Sequence, residues 1–137
     1  KVYKIMNKYG LKRGKDGLKV YLMAELPSNI LMAEEFAQHI DGFSIGSNDL
    51  TQLVLGLDRD SSLVAHIYDE RNPAVLKAIS DLIKVSKKTK TKVGICGQGP
   101  SDHTDFAQFL VEKGIDSISV TPDSMLKTIK AIHKIEN

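Results

Sequence analysis

Residues able to do chemistry recur at one kind of place in this sequence, directly after short apolar runs. Glu25 follows Leu18–Ala24, Ser47-Asn48-Asp49 follows Gly42–Gly46, Cys96 closes Lys92–Cys96, and Thr121 closes Asp116–Thr121. One carboxylate from each of two neighbouring strands, Glu25 and Asp49, can hold Mg²⁺, a cation that takes hard oxygen ligands and keeps positions for water and substrate. The same spacing also fits Glu25 paired with a lysine and Asp49 capping the helix that follows. Cys96 precedes the flexible Gly97-Gln98-Gly99-Pro100 turn. Its thiol can carry a proton if its surroundings bring the pKa, ~8.5 when unperturbed, toward working pH; the plainer role is that of a small buried apolar residue. Ser47-Asn48-Asp49 presents backbone N–H groups at a helix start, a natural seat for an anion. Arg59, in the Asp58-Arg59-Asp60 loop, can add a charge-assisted contact to phosphate or carboxylate, or simply be solvated.

Other chemistries fit less well. Gly97-Gln98-Gly99 lacks the third glycine of a dinucleotide fingerprint, with Asp102 in its place. The four histidines, His39, His66, His103 and His133, are scattered, and none pairs with the single cysteine at transition-metal spacing. Only His103 lies close enough to Cys96 in sequence to be a candidate for touching its site.

The elements that position these residues are legible from periodicity. Val2, Ile5, Met6 and Tyr9 recur at helical spacing before Gly10, and a charged loop, Leu11–Gly17, leads into the first strand. Ser28 is the expected N-cap of a helix carrying Ile30, Leu31, Phe36, Ala37 and Ile40. Ser47-Asn48-Asp49 reads as a polar turn, with a helix over Leu50–Leu57. Asn72-Pro73 opens an amphipathic helix with Val75, Leu76, Ile79, Leu82 and Ile83 on one face and Lys84, Lys87 and Lys88 at its negative end. A helix from His103 to Lys113 stops at Gly114, and Pro122-Asp123 introduces a last one with Leu126, Ile129, Ile132 and Ile135. The order is α followed by βα four times, which argues for an α/β fold with a parallel sheet covered by helices.

Composition bounds the function. The chain has 137 residues, 42% hydrophobic and 26% charged, with a net charge of +2; it is one ordinary globular domain. No dense basic block interleaved with aromatics is present, which excludes a nucleic-acid groove. No apolar run approaches the ~20 residues that span a bilayer, and no secretory leader opens the chain, so no membrane partner is expected and the cytoplasm is the default compartment. One cysteine rules out an internal disulfide. The start at Lys1, within a helical pattern and without Met, leads us to expect a fragment of something longer.

Three runs carry more than a generic pattern: Met23-Ala24-Glu25-Leu26-Pro27, Gly42-Phe43-Ser44-Ile45-Gly46-Ser47-Asn48-Asp49-Leu50-Thr51-Gln52 and Gly94-Ile95-Cys96-Gly97-Gln98-Gly99-Pro100-Ser101. Together, and in this order, they resemble the C-terminal PEP/pyruvate-binding domain of the PEP-utilising enzymes. The Cys-Gly-Gln-Gly-Pro-Ser-Asp form and Leu55–Ser61 are most similar to the synthase branch of that family, not to pyruvate phosphate dikinase or enzyme I of the phosphotransferase system. The family's domain is a (β/α)₈ barrel, which takes ~250 residues. The resemblance therefore implies that residues 1–137 are the C-terminal half of such a TIM-type barrel, its last four βα units.

The resemblance further implies a pyruvate, water dikinase reaction in the intact enzyme: ATP, pyruvate and water give AMP, phosphoenolpyruvate and phosphate. It implies Glu25 and Asp49 as ligands of Mg²⁺, Ser47, Asn48, Asp49 and Arg59 as substrate-binding residues, and Cys96 as the group that exchanges a proton with the pyruvate methyl carbon. The implied partners are pyruvate or phosphoenolpyruvate, the phosphohistidine and ATP-binding domains of the same enzyme, and a second copy in a homodimer. The alternatives are a non-catalytic structural or dimerising half-barrel, or a pyruvate phosphate dikinase-like domain. The isolated chain is expected to show little or no synthase activity.

Overall fold

The computed structural model describes residues 1–136. Its centre is a four-stranded sheet in the order β1-β2-β3-β4, made of Tyr21–Ala24, Gly42–Ile45, Lys92–Ile95 and Ser117–Ile118. Every neighbouring pair is parallel, with Leu22 opposite Phe43, Phe43 opposite Val93 and Ile95 opposite Ile118. Alternation along each strand divides the residues between two faces. Ala24, Phe43, Ile45, Val93 and Ile95 are all at most 2% exposed and form the core with the helices. Tyr21, Met23, Ser44 and Cys96 lie on the opposite face, where no helix covers them; Tyr21 is 50% and Met23 44% exposed.

The covering layer is built around α5, Pro73–Thr89, whose buried residues Val75, Ile79, Leu82, Ile83 and Ser86 repeat at helical spacing. Asn72 caps it as its sequence predicts, its side-chain oxygen accepting from Ala74 N–H at 2.9 Å. Each of the apolar side chains buried there contributes roughly 1.5–3 kcal/mol relative to exposure. α7 (Thr104–Lys113) adds Phe106, Ala107 and Leu110 to the core and stops at Gly114, which has φ +80°. α1 (Val2–Lys8) has no buried residue, and α8 (Met125–Glu136) buries only Thr128, leaving Leu126 and Ile129 exposed.

Five local expectations are corrected. The first strand begins at Tyr21, not Leu18, because Asp41 Oδ2 takes the Val20 N–H and Leu18 O accepts from Gly14 N–H, closing the preceding loop on itself. The helix expected from Ser28 is two short ones, α2 (Pro27–Leu31) and α3 (Ala33–Ala37), with a break at Met32. Ser28 does not cap it; the buried Asn29 does, its Oδ1 accepting from Leu26 N–H at 3.0 Å and Glu25 N–H at 3.3 Å. Ser47-Asn48-Asp49 is not a turn but the first turn of α4, Ser47–Leu55. The last strand shrinks to Ser117–Ile118, the two residues that pair with Gly94 and Ile95 of β3.

Candidate functional site

Three of the four chemistry-bearing strand ends meet at the carboxyl edge of the sheet, the edge where parallel βα folds place their ligands. Contact between them depends on glycine. A Cβ on Gly46 would stand 2.9 Å from Glu25 Oε2 and 3.1 Å from Glu25 Cβ, so the end of β2 lies directly against the acid that ends β1. A Cβ on Gly97 would fall 1.6 Å from Ser47 Oγ and 3.0 Å from Ser47 N. The start of α4 and the turn after β3 therefore approach more closely than any side chain would allow. Asn48 joins the same two segments, its Oδ1 accepting from Gln98 N–H at 3.1 Å. Tyr68 supports it from behind, donating its hydroxyl to Asn48 O at 3.0 Å.

The two carboxylates differ in company. Glu25 is half-buried and forms no ion pair among the described residues, so the alternative of a lysine partner is not what the structure contains. Asp49 sits in the first turn of α4 but makes no capping bond; its Oδ1 is 3.7 Å from Arg59 Nη1, with both side chains substantially exposed. Arg59 is thus at the site, held additionally by its N–H donating to Gln52 Oε1 at 3.2 Å. Among the described residues no group of three or more His, Cys, Asp or Glu is arranged to hold a metal ion by itself. Two hard carboxylates without a full protein cage suit a cation that draws its remaining ligands from substrate and water, as Mg²⁺ does.

Cys96 is exposed, not a buried apolar filler. Its Sγ accepts from Ser44 Oγ at 3.2 Å, lies 3.6 Å from Met23 Sδ and 3.5 Å from Ile45 O. The thiol therefore opens onto the bare face of the sheet, at the level of Glu25 and Gly46. Thr121 does not join the group: it lies past β4, its N–H donating to Ser101 Oγ at 3.0 Å and its hydroxyl 3.0 Å from Ser124 Oγ. His103 does not join it either. It separates α6 (Gly99–Asp102) from α7 and faces a neighbouring cleft with Tyr68, Glu70 and Asp102.

Glu70 is a residue that sequence reasoning missed. It is only 7% exposed, and its Oε1 has no hydrogen-bond partner. Burial pushes its carboxyl pKa up, and the negative charges of Asp102 and Asp69 add to this, while the nearby Ser47 hydroxyl and His103 pull it back. In sequence it stands in Asp69-Glu70-Arg71, which has the composition of a solvated loop.

The profile of the PEP-utilising enzyme, PEP-binding domain matches residues 2–137. The phosphoenolpyruvate synthase of Aquifex aeolicus is 65% identical over 136 residues, covering 99% of this chain and 16% of that protein. The phosphoenolpyruvate synthase of Escherichia coli is 60% identical over 119 residues, covering 87% of this chain and 15% of that one. The chain thus spans about a sixth of the length of these relatives. Among solved structures, an HpcH/HpaI aldolase/citrate lyase family protein from Burkholderia cenocepacia superposes with a TM-score of 0.61 at 21% identity, covering 96% of this chain and 48% of that one. At that identity the likeness concerns the fold alone: the expected half-barrel of four βα units is the architecture that the chain forms.

Proposed function

Because this chain belongs to the PEP-utilising enzyme family as its PEP-binding domain, we propose that it carries the pyruvate half of a phosphoenolpyruvate synthase site. The observation that carries the reading is the convergence of Glu25, Asn48, Asp49, Arg59 and Cys96 from three adjacent strand ends onto one edge. Glu25 and Asp49 would hold Mg²⁺, which when bound supplies Lewis-acid stabilisation of negative charge on the substrate oxygens.

The chain's own groups divide the remaining work. Arg59 offers guanidinium donors to the phosphoryl or carboxylate group, and its weak 3.7 Å pairing with Asp49 leaves those donors free to turn. Ser47 and Asn48 present the first N–H groups of α4 to the same anion, with Asn48 fixed by Gln98 and Tyr68. Phosphoryl transfer asks mostly for positioning and charge neutralisation, which suits donors held this rigidly. Cys96 Sγ, exposed on the bare sheet face with Ser44 Oγ donating to it at 3.2 Å, would give or take the proton at the methyl carbon of pyruvate.

The reading is tested by binding of oxalate, a planar mimic of the pyruvate enolate, in the presence of Mg²⁺. Binding should be lost in Glu25→Ala and in Asp49→Ala; unchanged binding in both would overturn the ligand assignment. The second reading, a structural module that pairs with another copy, is favoured by the bare sheet face and its exposed Tyr21 and Met23. Parallel sheets are ordinarily covered on both faces. A clean monomer by sedimentation at micromolar concentration would count against it.

A further inference from the structure

A cluster of buried polar side-chain atoms lies around the start of α4. Ser47 Oγ, Thr51 Oγ1 and Glu70 Oε1 are buried without hydrogen-bond partners. Ser47 and Thr51 are one helical turn apart on α4, and the Ser47 hydroxyl faces the Glu70 carboxyl without reaching good bonding geometry. A buried carboxyl with an oxygen that no hydrogen bond satisfies is an expensive arrangement for purely structural ends.

Its location suggests its use. A Cβ on Gly99 would stand 2.6 Å from Glu70 Oε2, and the same position is bounded by the Phe106 ring at 2.6 Å. Gly97, two residues earlier, is wedged against Ser47. The Gly97-Gln98-Gly99 turn is therefore bracketed by the Ser47 hydroxyl on one side and the Glu70 carboxyl on the other. Asn48 closes the bracket through its bond to Gln98 N–H, and Tyr68, two residues before Glu70, holds Asn48 O. Cys96 is the residue immediately before this turn.

We propose that Glu70 is a positioning residue: its buried carboxyl seats the Gly97-Gln98-Gly99 turn against the start of α4 and thereby sets the presentation of the Cys96 thiol. Withdrawing the carboxyl removes one of the groups packed on the Gly99 side of the turn and leaves the Phe106 ring there without its counterpart. Cys96 Sγ then loses its fixed relation to Ser44 Oγ and Met23 Sδ, the contacts that define its surroundings. The functional meaning of this seat rests on Cys96 belonging to the proposed pyruvate site, but the seat itself is testable without substrate.

Cys96 is the only cysteine, so alkylation by iodoacetamide reports on it alone. The rate is measured by mass spectrometry across neutral and mildly alkaline pH for the wild type, Glu70→Gln, Glu70→Asp and Glu70→Ala, with thermal unfolding alongside. The isosteric Glu70→Gln should stay within about twofold of wild type. Glu70→Ala and Glu70→Asp should change the rate about threefold or more, because the alkylation rate follows the exposure and surroundings of the thiol. A merely structural carboxyl would lower the melting temperature and leave the native-state rate alone. Wild-type rates in folded Glu70→Ala and Glu70→Asp, or a change in Glu70→Gln as large as in Glu70→Ala, would overturn the proposal. If Glu70→Ala fails to fold, Glu70→Asp, which keeps the acid and withdraws it by one methylene, decides the matter against Glu70→Gln. Failure of Mg²⁺–oxalate binding would remove the pyruvate reading without touching this result, and the converse holds as well.

Discussion

Substituting Gly97 with Ala strikes the closest approach in the site. The new Cβ would lie 1.6 Å from Ser47 Oγ, 2.8 Å from Ser47 Cβ and 3.0 Å from Ser47 N. Rotating the serine hydroxyl removes only the first clash. The other two involve the Cβ and the backbone of α4, so the helix start or the turn after β3 must move. Overpacking of this kind costs about 1–3 kcal/mol. For a chain of this size that lowers the melting temperature by roughly 3–10 °C. Gly56→Ala is the matched control: Gly56 has φ +64° but nothing within 4 Å, so its penalty is the left-handed backbone alone, about 1 kcal/mol, with no displacement of α4. Thermal unfolding by circular dichroism reads the stability, and Mg²⁺–oxalate titration reads the site. Gly97→Ala should lose both stability and oxalate binding, while Gly56→Ala should lose stability only. Combining Gly97→Ala with Ser47→Gly removes two of the three clashes and should recover part of the lost stability, a positive coupling between neighbours. An unfolding temperature for Gly97→Ala equal to wild type, with oxalate binding retained, would refute the claim that this contact joins the two halves of the site.

Three further outcomes follow from the same geometry. Gly46→Ala meets the mobile Glu25 Oε2 at 2.9 Å and the Glu25 Cβ at 3.1 Å, a milder crowding than at Gly97, so it should cost about 1 kcal/mol of stability; oxalate-dependent Mg²⁺ binding by calorimetry should weaken as well, because the displaced carboxylate is a proposed ligand. Asn29→Ala frees the Leu26 and Glu25 N–H groups that the buried amide now satisfies, which should cost about 1 kcal/mol in chemical denaturation and also weaken Mg²⁺ binding through Glu25. Acid should destabilise the chain through Asp41 and Asp116: hydrogen bonds from Arg13 and Val20 N–H hold Asp41 below its usual 3.8, and Lys92 and Val93 N–H do the same for Asp116. Their folded-state pKa values are depressed, so the stabilisation is complete above the unfolded value and is lost as pH falls through the folded one. Melting temperature should therefore drop below pH 3.8, and Asp41→Asn should flatten part of that slope.

The order of elements was legible because four apolar runs alternate with helical periods, and the strand-end location of Glu25, Asp49 and Cys96 followed from that order. What was hidden depended on particular contacts that residue type and polarity do not announce. The first strand starts late because Asp41, 21 residues on, takes the Val20 N–H. Asn29 displaces Ser28 as the cap because its amide is buried and reaches back to two N–H groups at once, where a serine at 28 points outward. Ser47-Asn48-Asp49 reads as a turn from its polarity, yet Leu50 N–H bonds to Gly46 O and winds it into α4. Glu70 was invisible for the same reason: an acid between Asp69 and Arg71 has the composition of a surface loop, and only Gly99, packed against its carboxyl, betrays the burial.

The central claim is that side chains from three adjacent strand ends form one metal- and substrate-binding site. Its most direct test is calorimetric titration of Mg²⁺ and oxalate into the purified chain, each alone and then together. The account predicts a heat of binding that requires both components. No binding by a cooperatively folded chain under either condition would contradict it.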